Sequence, residues 1–189
     1  QAVQRHRVTT TWVVPTIIGM LLDFPDRRNY DLSSLRTIVY GGAPMPVERL
    51  KEALRIFGPI FVHVFGLSET PHPIISMGKV DHVAGTPEQL DRRLGSTGRP
   101  SVGVEVRLVR EDGNEAAPGE VGEILARGDN VMIGYWGKPE ATAEVMRDGW
   151  FHTGDLAVGD EDGYISIVDR KKDMIISGGY NVYPREVEE

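Results

Sequence analysis

The chain has 189 residues, of which 40% are hydrophobic, and it carries a formal net charge of −7 and no cysteine. This composition allows one or two compact units with a buried core. The acidic balance argues against nucleic acid or an anionic membrane surface as a partner. The lack of cysteine excludes a disulfide framework, a thiolate metal site and a cysteine nucleophile, and it agrees with a cytoplasmic location. The apolar run at residues 13–22 is too short to be a transmembrane segment.

The first third of the chain alternates predicted strands and helices. Apolar, partly β-branched runs predict strands at residues 8–14, 35–40 and 60–65. One helix is predicted to begin at Pro15 and another just after Pro46, since proline is well placed in the first turn. The order strand, turn, helix, strand makes the second and third strands parallel neighbours.

Those two strands each end in a motif that contains glycine. The motifs are Gly-Gly-Ala-Pro at residues 41–44 and Phe-Gly-Leu-Ser-Glu at residues 65–69. Ligands of open α/β sheets bind outside the carboxyl ends of the strands, so the two motifs should face one pocket. A flat base could lie against Gly42, Ala43 and Pro44, which lack bulky side chains. The competing interpretation is a plain turn that needs glycine flexibility.

From about Gly95 the pattern changes to short strands separated by turns. Alternating or apolar runs predict strands at residues 102–108, 121–127 and 164–168, with a short helix at 139–146. Such a series is typical of a small antiparallel sheet or barrel.

The predicted fold class is therefore α/β, in three parts. Residues 1–94 would form part of a parallel α/β sheet subdomain, and residues 95–171 a small antiparallel, β-barrel-like subdomain. Residues 172–189 would form the truncated start of a further domain.

The end of the chain carries two further predictions. Residues 174–176 and 181–183 could pair as a hairpin, and Pro184 would open a helix. One turn cannot hold a helix by itself, and the chain has no initiator Met, so we expect an internal piece of a larger protein. We also expect little order after about Lys172, since those residues would have little to pack against.

Two carboxylates are candidate ligands of a nucleotide. Glu69, beside Ser68, could hold Mg²⁺ that bridges nucleotide phosphates, because Mg²⁺ prefers oxygen ligands and takes few from protein. Alternatively, it is an acid that favours a helix start. Asp155 follows a Thr-Gly pair and could accept both hydroxyls of a ribose. The alternative is a turn aspartate that bonds its own backbone.

The last candidates are basic residues and glycines. Arg170 could donate fork-shaped bonds to ribose or phosphate oxygens, or it could belong to an ordinary solvated charged turn. Gly178 and Gly179 could let a thin ligand arm pass close to the backbone, or form only a hairpin turn. His63 and His152 are discounted as general bases, because the sequence places no partner carboxylate beside either one.

Taken together, these segments resemble the adenylate-forming superfamily, and within it the acyl-CoA synthetases, or fatty-acid–CoA ligases. The resemblance covers nearly the whole chain. Its segments are residues 14–16, 30–36, 41–45, 65–69, 95–100, 119–123, 134–136, 139–142, 148–155, 169–173 and 178–188. Each segment is weak alone, but their ordered series is specific.

The resemblance implies a two-step reaction. A carboxylate attacks the α-phosphate of ATP, which gives acyl-AMP and pyrophosphate, and the thiol of CoA then displaces AMP. ATP, AMP, Mg²⁺ and CoA are thus the implied cofactors and substrates, and a small carboxylic acid is the partner.

The resemblance also implies roles for individual residues. Around the base and phosphates, Gly42, Ala43 and Pro44 would lie against adenine with Phe65 beside it, Ser68 would contact the α-phosphate or the acyl carboxylate, and Glu69 would hold Mg²⁺. At the ribose, Asp155 would bind the diol and Arg170 the ribose and phosphate side. In the second half-reaction, Lys172 would be the hinge of a small C-terminal domain. Gly178 and Gly179 would border the pantetheine tunnel. Phe65 and Ser68 stand where Tyr and Thr are common in the family, and both changes are mild.

Two parts of the family pattern are not in this sequence. They are the Gly/Ser/Thr-rich phosphate loop that ends in Pro-Lys-Gly and the catalytic lysine of the C-terminal domain. Because catalysis of this kind is mostly charge stabilisation on the transferring group, we expect the parent protein to be a ligase. The 189-residue piece alone is expected to be inactive, with weak nucleotide affinity left open.

Several alternatives stay open from the sequence. By overall resemblance, the acid is expected to be a medium- or long-chain fatty acid, with aryl acids as an alternative. The parent could instead be an adenylation domain of the peptide-synthetase type. A third alternative, from another class, is a non-catalytic nucleotide-binding fragment. Oligomeric state is not predicted.

Overall fold

A computed structural model describes residues 1–71, 73–173, 175–177, 180–182 and 184. The chain divides into two compact units. The first consists of Gln1–Phe65 and Ser76–Gly98, and the second of Gly66–Ile75 and Arg99–Glu189. The three-part division at residues 94 and 171 stays a prediction.

The first unit contains four helices and the strands of a largely parallel sheet. In chain order these are α1 (Ala2–His6), β1 (Thr10–Val13), α2 (Pro15–Asp23), β2 (Thr37–Gly41), α3 (Val47–Phe57), β3 (Phe61–Phe65), β4 (Ile75–Met77) and α4 (Pro87–Leu94), with a 3₁₀ turn at Pro25–Asn29. The strand order is β1-β2-β3-β4, and β4 lies at the boundary of the unit. Strands β2 and β3 pair in parallel, which confirms the prediction, and β1 pairs in parallel with β2 as well.

The core of the first unit lies between this sheet and its helices. Tyr40 and Phe61 on neighbouring strands are fully buried, as is Leu50 on α3. On α2, Ile18 and Leu22 are buried while Ile17 and Leu21 remain exposed, so one stripe of the helix faces the core. The helix α4 was not predicted, although its capping box, with Thr86 and Gln89, is a readable start signal.

The second unit is built on an antiparallel sheet. Its elements are β5 (Arg99–Pro100), β6 (Val104–Val109), β7 (Val121–Gly128), α5 (Pro139–Val145), β8 (Met146–Arg147), β9 (Trp150–Gly159), β10 (Ile165–Arg170), β11 (Ile175–Ser177) and β12 (Tyr180–Val182). The strand order is β10-β9-β7-β6, and β8 pairs with β9. The predicted mixture of a parallel α/β part and an antiparallel part is confirmed.

The predicted strands of this unit are present, together with three that were not predicted, β5, β8 and β9. The strand predicted to begin at Val102 begins at Val104, because Val102 lies in a turn and is 98% exposed. Strand β9, the longest among the described residues, was not predicted, since the sequence pattern there indicates ligand motifs. The backbone pairing of β11 with β12 confirms the predicted hairpin.

Three predictions concern residues outside the described part of the chain. Gly178 and Gly179 lie outside it, as does the predicted helix after Pro184 and most of the segment expected to lack order. Among the described residues, no helix is both long and apolar enough to cross a membrane.

Candidate functional site

In the first unit, the carboxyl ends of β2 and β3 stand side by side. Gly41 is opposite Val64 in the parallel register. A Cβ on Gly41 would lie 2.1 Å from the carbonyl oxygen of Val64, so close strand packing requires this glycine. Gly41 is therefore explained by the close contact between the two strands and not by turn flexibility.

The next three residues of this motif have a different environment. Gly42 has a φ of 80°, and a Cβ placed on it would meet nothing closer than Val14, at 4.0 Å. Gly42, Ala43 and Pro44 are all exposed, and Phe65 at the end of β3 is partly buried. The surface at residues 42–44 is therefore open to a flat ligand, as the adenine prediction requires.

In the second unit, a pocket of about 770 Å³ joins residues from three places in the chain. Its lining consists of Gly66, Leu67, Ser68, Glu69, Thr153, Gly154, Arg170, Lys171 and Lys172. The fold thus brings Ser68 and Glu69 together with Arg170 and Lys172, although about 100 residues separate the two pairs in sequence. One wall carries a carboxylate and a hydroxyl, and the other carries three cations.

Hydrogen bonds hold Glu69 at both its backbone carbonyl and its side-chain carboxylate. Its backbone oxygen accepts a hydrogen bond from the amide of Met132 at 2.8 Å. Its Oε1 accepts another from the Tyr135 hydroxyl, also at 2.8 Å. Nearby, the buried Thr70 accepts a bond from the Leu67 amide at 2.9 Å and closes the turn between them.

Asp155 lies on β9 directly opposite Arg170 on β10. It is only 5% exposed, and its Oδ1 is 3.4 Å from Arg170 Nε. Burial raises the pKa of Asp155, Arg170 opposes that change, and Glu123 adds to it. Because this carboxylate sits on a strand and pairs with Arg170, the turn-aspartate interpretation does not describe it. Asp155 does not line the pocket itself and is linked to it through Arg170, which does.

Glu123 on β7 is a buried carboxylate that sequence analysis missed. Its Oε1 accepts the Gly154 amide at 3.2 Å, and its Oε2 accepts Lys171 Nζ at 3.1 Å. His152 Nδ1 lies 3.6 Å from the same Oε2, so this histidine does have a neighbouring carboxylate. An acid inside the otherwise uncharged run at 121–126 was the signal that could have revealed it.

The three cations of the pocket are exposed, and each lies near a buried carboxylate, Arg170 and Lys172 near Asp155 and Lys171 near Glu123. Arg170 is 57% exposed and Lys171 45%, which suits both a solvated turn and a surface that receives an anion. The amide of Lys171 donates to the Gly154 carbonyl at 2.8 Å, so the strand pairing holds this segment beside Thr153.

The residues present fit a magnesium ion that is bound mainly by a nucleotide. Within the described ranges, no group of three or more His, Cys, Asp or Glu side chains could hold a metal ion. Glu69 offers one carboxylate at an open pocket. A single protein carboxylate with phosphate and water oxygens is a usual arrangement for Mg²⁺.

His63, in the first unit, belongs to a buried aromatic cluster. Its ring stacks on Tyr40 with centroids 4.4 Å apart, and the Tyr40 hydroxyl is 3.0 Å from His82 Nε2. Burial, aided by the nearby His82, lowers the pKa of His63 to about 4. His63 is therefore a packed histidine of the core.

The chain is similar in sequence to a known protein family and to individual enzymes. Residues 1–136 match the model of the AMP-binding enzymes. The chain is 46% identical over 187 residues to the medium/long-chain-fatty-acid–CoA ligase FadD8 of Mycobacterium tuberculosis, covering 99% of this chain and 32% of that protein. It is 49% identical to a feruloyl-CoA synthase of an Amycolatopsis species, covering 99% and 36%.

A solved structure extends the likeness to three dimensions. The o-succinylbenzoate coenzyme A synthetase MenE of Bacillus subtilis, in complex with ATP and a magnesium ion, matches with a TM-score of 0.84 and 36% identity. The match covers 99% of this chain and 37% of MenE. The chain spans about a third of the length of each of these relatives. Since the family model matches most of its residues, the chain belongs to the family of AMP-binding enzymes.

Proposed function

We propose that the protein carrying this chain is an AMP-forming acid–thiol ligase. It joins a carboxylic acid to ATP as an acyl-adenylate and then transfers the acyl group to CoA. The observation that carries the proposal is the pocket in which Ser68 and Glu69 face Arg170, Lys171 and Lys172. Acidic and basic groups across one pocket suit a polyphosphate and its cation.

In the first step a carboxylate oxygen of the acid bonds to the α-phosphorus of ATP, and the bond to the β-phosphate oxygen breaks. Pyrophosphate leaves with the electron pair. Bound Mg²⁺ would neutralise charge on the phosphates, and Glu69 would hold it. Ser68 would donate to the α-phosphate or orient the acyl carboxylate, and Arg170 would stabilise negative charge from the opposite wall.

The family resemblance assigns the adenine and the ribose of the nucleotide to two separate sets of residues. Gly42, Ala43 and Pro44 offer an exposed, low surface for adenine beside Phe65. Asp155 would bind the ribose diol. Because its Oδ1 lies 3.4 Å from Arg170 Nε, the diol has to displace the Arg170 side chain or bind to the carboxylate alongside it.

In the second step the CoA thiol, as its thiolate, bonds to the acyl carbonyl carbon and AMP leaves. Lys172 would serve as the hinge that changes the arrangement between steps, and Gly178 and Gly179 would border the path of the pantetheine arm. Exposure of Lys172 supports the hinge role, since an exposed residue can absorb a torsion change without repacking a core.

For the acid itself we propose a medium- or long-chain fatty acid, supported by the identity to FadD8. An aryl acid is the second candidate, because the feruloyl-CoA synthase is equally similar. An adenylation domain of the peptide-synthetase type and a non-catalytic nucleotide-binding protein are further alternatives that the same experiment separates.

The test is exchange of labelled pyrophosphate into ATP, with fatty, aryl and amino acids supplied in turn, followed by thioester detection after CoA is added. The variant Glu69→Gln should lower exchange roughly 100-fold or more, since it removes charge stabilisation at the phosphates. Glu144→Gln, on the exposed face of α5, is the matched control and should leave exchange unchanged.

The outcomes assign the function. Exchange with a fatty or aryl acid and thioester formation would support the ligase and name its substrate class. Exchange with amino acids alone would move the protein to the peptide-synthetase type. Nucleotide binding without exchange for any acid would leave the non-catalytic alternative.

A further inference from the structure

We infer that Tyr135 is a positioning residue for Glu69, through a hydrogen bond that leaves one oxygen of the carboxylate free to ligate the nucleotide's cation. This inference rests on the proposed function. It assigns a task to the segments at residues 134–136 and 139–142, which carry part of the family resemblance and for which the resemblance implied no role.

The contact itself is short and specific. The hydroxyl of Tyr135 donates to Glu69 Oε1 at 2.8 Å, and both side chains are partly buried. In the described part of the chain, Glu69 Oε2 shows no hydrogen bond or ion pair. The carboxylate therefore has one oxygen held by a neutral donor and one that remains available at the pocket.

The backbone of the same segment fixes Glu69 as well. The Met132 amide donates to the Glu69 carbonyl at 2.8 Å. Residues 132 and 135 thus hold the main chain and the side chain of Glu69 from one short loop. A carboxylate bonded at both places loses less rotamer freedom when it binds a ligand.

Tyr135 is in turn anchored to helix α5. Its amide donates to Thr142 Oγ1 at 2.9 Å, and that hydroxyl donates to the Lys138 carbonyl at 2.9 Å. A Cβ on Gly134 would lie 2.8 Å from Thr142 Cγ2, so the loop passes against this threonine closely. The series Thr142, Tyr135, Glu69 is therefore a continuous set of bonds from a helix to the pocket.

This arrangement matters because a cation senses the orientation of its ligand. Residues that hydrogen-bond a ligating carboxylate commonly change metal affinity by about 10–100-fold when they are removed. A neutral phenol holds the carboxylate and leaves its negative charge in place. A lysine or arginine in the same position would neutralise that charge. Tyr135 should therefore affect binding that depends on the cation and leave binding without it unchanged.

The experiment compares nucleotide binding with and without the cation. In the protein that carries this chain, the dissociation constant of α,β-methylene-ATP is measured by calorimetry in EDTA and again in excess Mg²⁺. The ratio of the two constants is the tightening that Mg²⁺ provides. Tyr135→Phe should lower that ratio roughly 10-fold while the constant in EDTA stays the same.

Three further variants complete the design. Glu69→Gln should abolish the tightening. Thr142→Val removes the anchor of Tyr135 and should lower the ratio in the same direction by a smaller factor. Tyr30→Phe is the control, since it removes a phenolic hydroxyl in the first unit, where Gln1 Nε2 donates to it at 3.5 Å. It should keep the full ratio.

The results separate this inference from the proposed function. If Mg²⁺ tightens binding in Tyr135→Phe as much as in the unmodified protein, but not in Glu69→Gln, the positioning role is overturned and the ligase proposal stands. No tightening by Mg²⁺ in the unmodified protein would overturn both. An unchanged constant in EDTA shows that Tyr135→Phe has folded, so a reduced ratio in that variant would support the inference.

Discussion

At the scale of single residues, the site depends on three carboxylates in different surroundings. Glu69 is partly exposed at the pocket and accepts a bond from a neutral phenol. Asp155 is buried and pairs with Arg170. Glu123 is buried and accepts from Gly154 and Lys171. The surroundings fit different tasks, with Glu69 open to a cation, Asp155 placed beside an exposed cationic side chain and Glu123 holding the structure together.

The proposed ribose role of Asp155 can be tested with the ligand as well as the protein. Asp155→Asn should weaken AMP binding roughly 10–100-fold, because bonds from hydroxyls to a charged acceptor are stronger than those to a neutral amide. The same variant should bind 2′,3′-dideoxy-AMP as well as the unmodified protein does, since that ligand has no diol to lose. Calorimetric titration of both ligands measures this.

The exposed turn residue Asp162 offers a control, and Asp162→Asn should leave both affinities unchanged. An equal loss for AMP and the dideoxy ligand would refute the diol contact and assign Asp155 to holding Arg170 instead.

At the scale of elements, Glu123 joins β7 to β9 and to the chain that follows β10. Its two oxygens accept from the Gly154 amide and from Lys171, at 3.2 and 3.1 Å. This places a structural carboxylate immediately behind the pocket wall formed by Thr153, Gly154 and Lys171. We expect it to hold that wall in register.

Glu123→Gln should therefore loosen the wall locally. Loss of a buried charged acceptor should cost about 1–2 kcal/mol of local opening free energy, partly screened because Lys171 is half exposed. Hydrogen exchange at the amides of Gly154 and Lys171 should become roughly 5–30-fold faster.

A matched change on the same sheet controls for loss of charge alone. Glu105 on β6 pairs with Arg127 at 2.6 Å, but both side chains are exposed. Glu105→Gln should alter those exchange rates little, since exposed ion pairs contribute about 0–1 kcal/mol. Equal acceleration of hydrogen exchange in the two variants would show that Glu123 does not hold the pocket wall in register.

At the scale of the whole molecule, the buried histidines of the first unit make stability depend on pH. The pKa of His63 falls to about 4 through burial and the nearby His82, whose own pKa is also lowered by burial. Between pH 6.5 and 4 the unfolded chain binds more protons than the folded one. The contribution of the buried, neutral histidines to the free energy of unfolding is thus fully present above pH 6.5, and it is lost as the pH falls toward 4.

We expect the free energy of unfolding to drop by roughly 2 kcal/mol between pH 7.5 and 5 on account of His63, with a further share from His82. His63→Phe keeps an aromatic ring against Tyr40 and should remove that share of the pH dependence. Urea unfolding at the two pH values measures it. His6→Gln, at an exposed position, should retain the full dependence, and an unaltered dependence in His63→Phe would contradict the assignment.

Sequence reasoning predicted the regular elements well where a strong local pattern exists. The parallel pairing of β2 with β3 follows from a short strand–helix–strand order, and the antiparallel part follows from closely spaced turns. It did not predict β9, because its ten residues mix glycine, aspartate and histidine with apolar residues, and only pairing with β7 and β10 on both sides stabilises them as a strand. It also missed α4 despite the capping box.

The candidate site divides in the same way. The residue types of Ser68, Glu69, Arg170 and Lys172, together with the order of the motifs, were enough to predict an AMP-binding enzyme from sequence. The partners of those residues were not predictable, because Tyr135 bonds to Glu69 across 66 residues, Lys171 to Glu123 across 48, and Asp155 reaches Arg170 only through strand register. Local patterns depend on neighbours a few positions apart, so the sequence by itself determined the elements and the chemistry on offer. Which carboxylate is open, which is buried and which is held by a phenol depends on distant segments that meet only after folding, and the tertiary structure alone decided it.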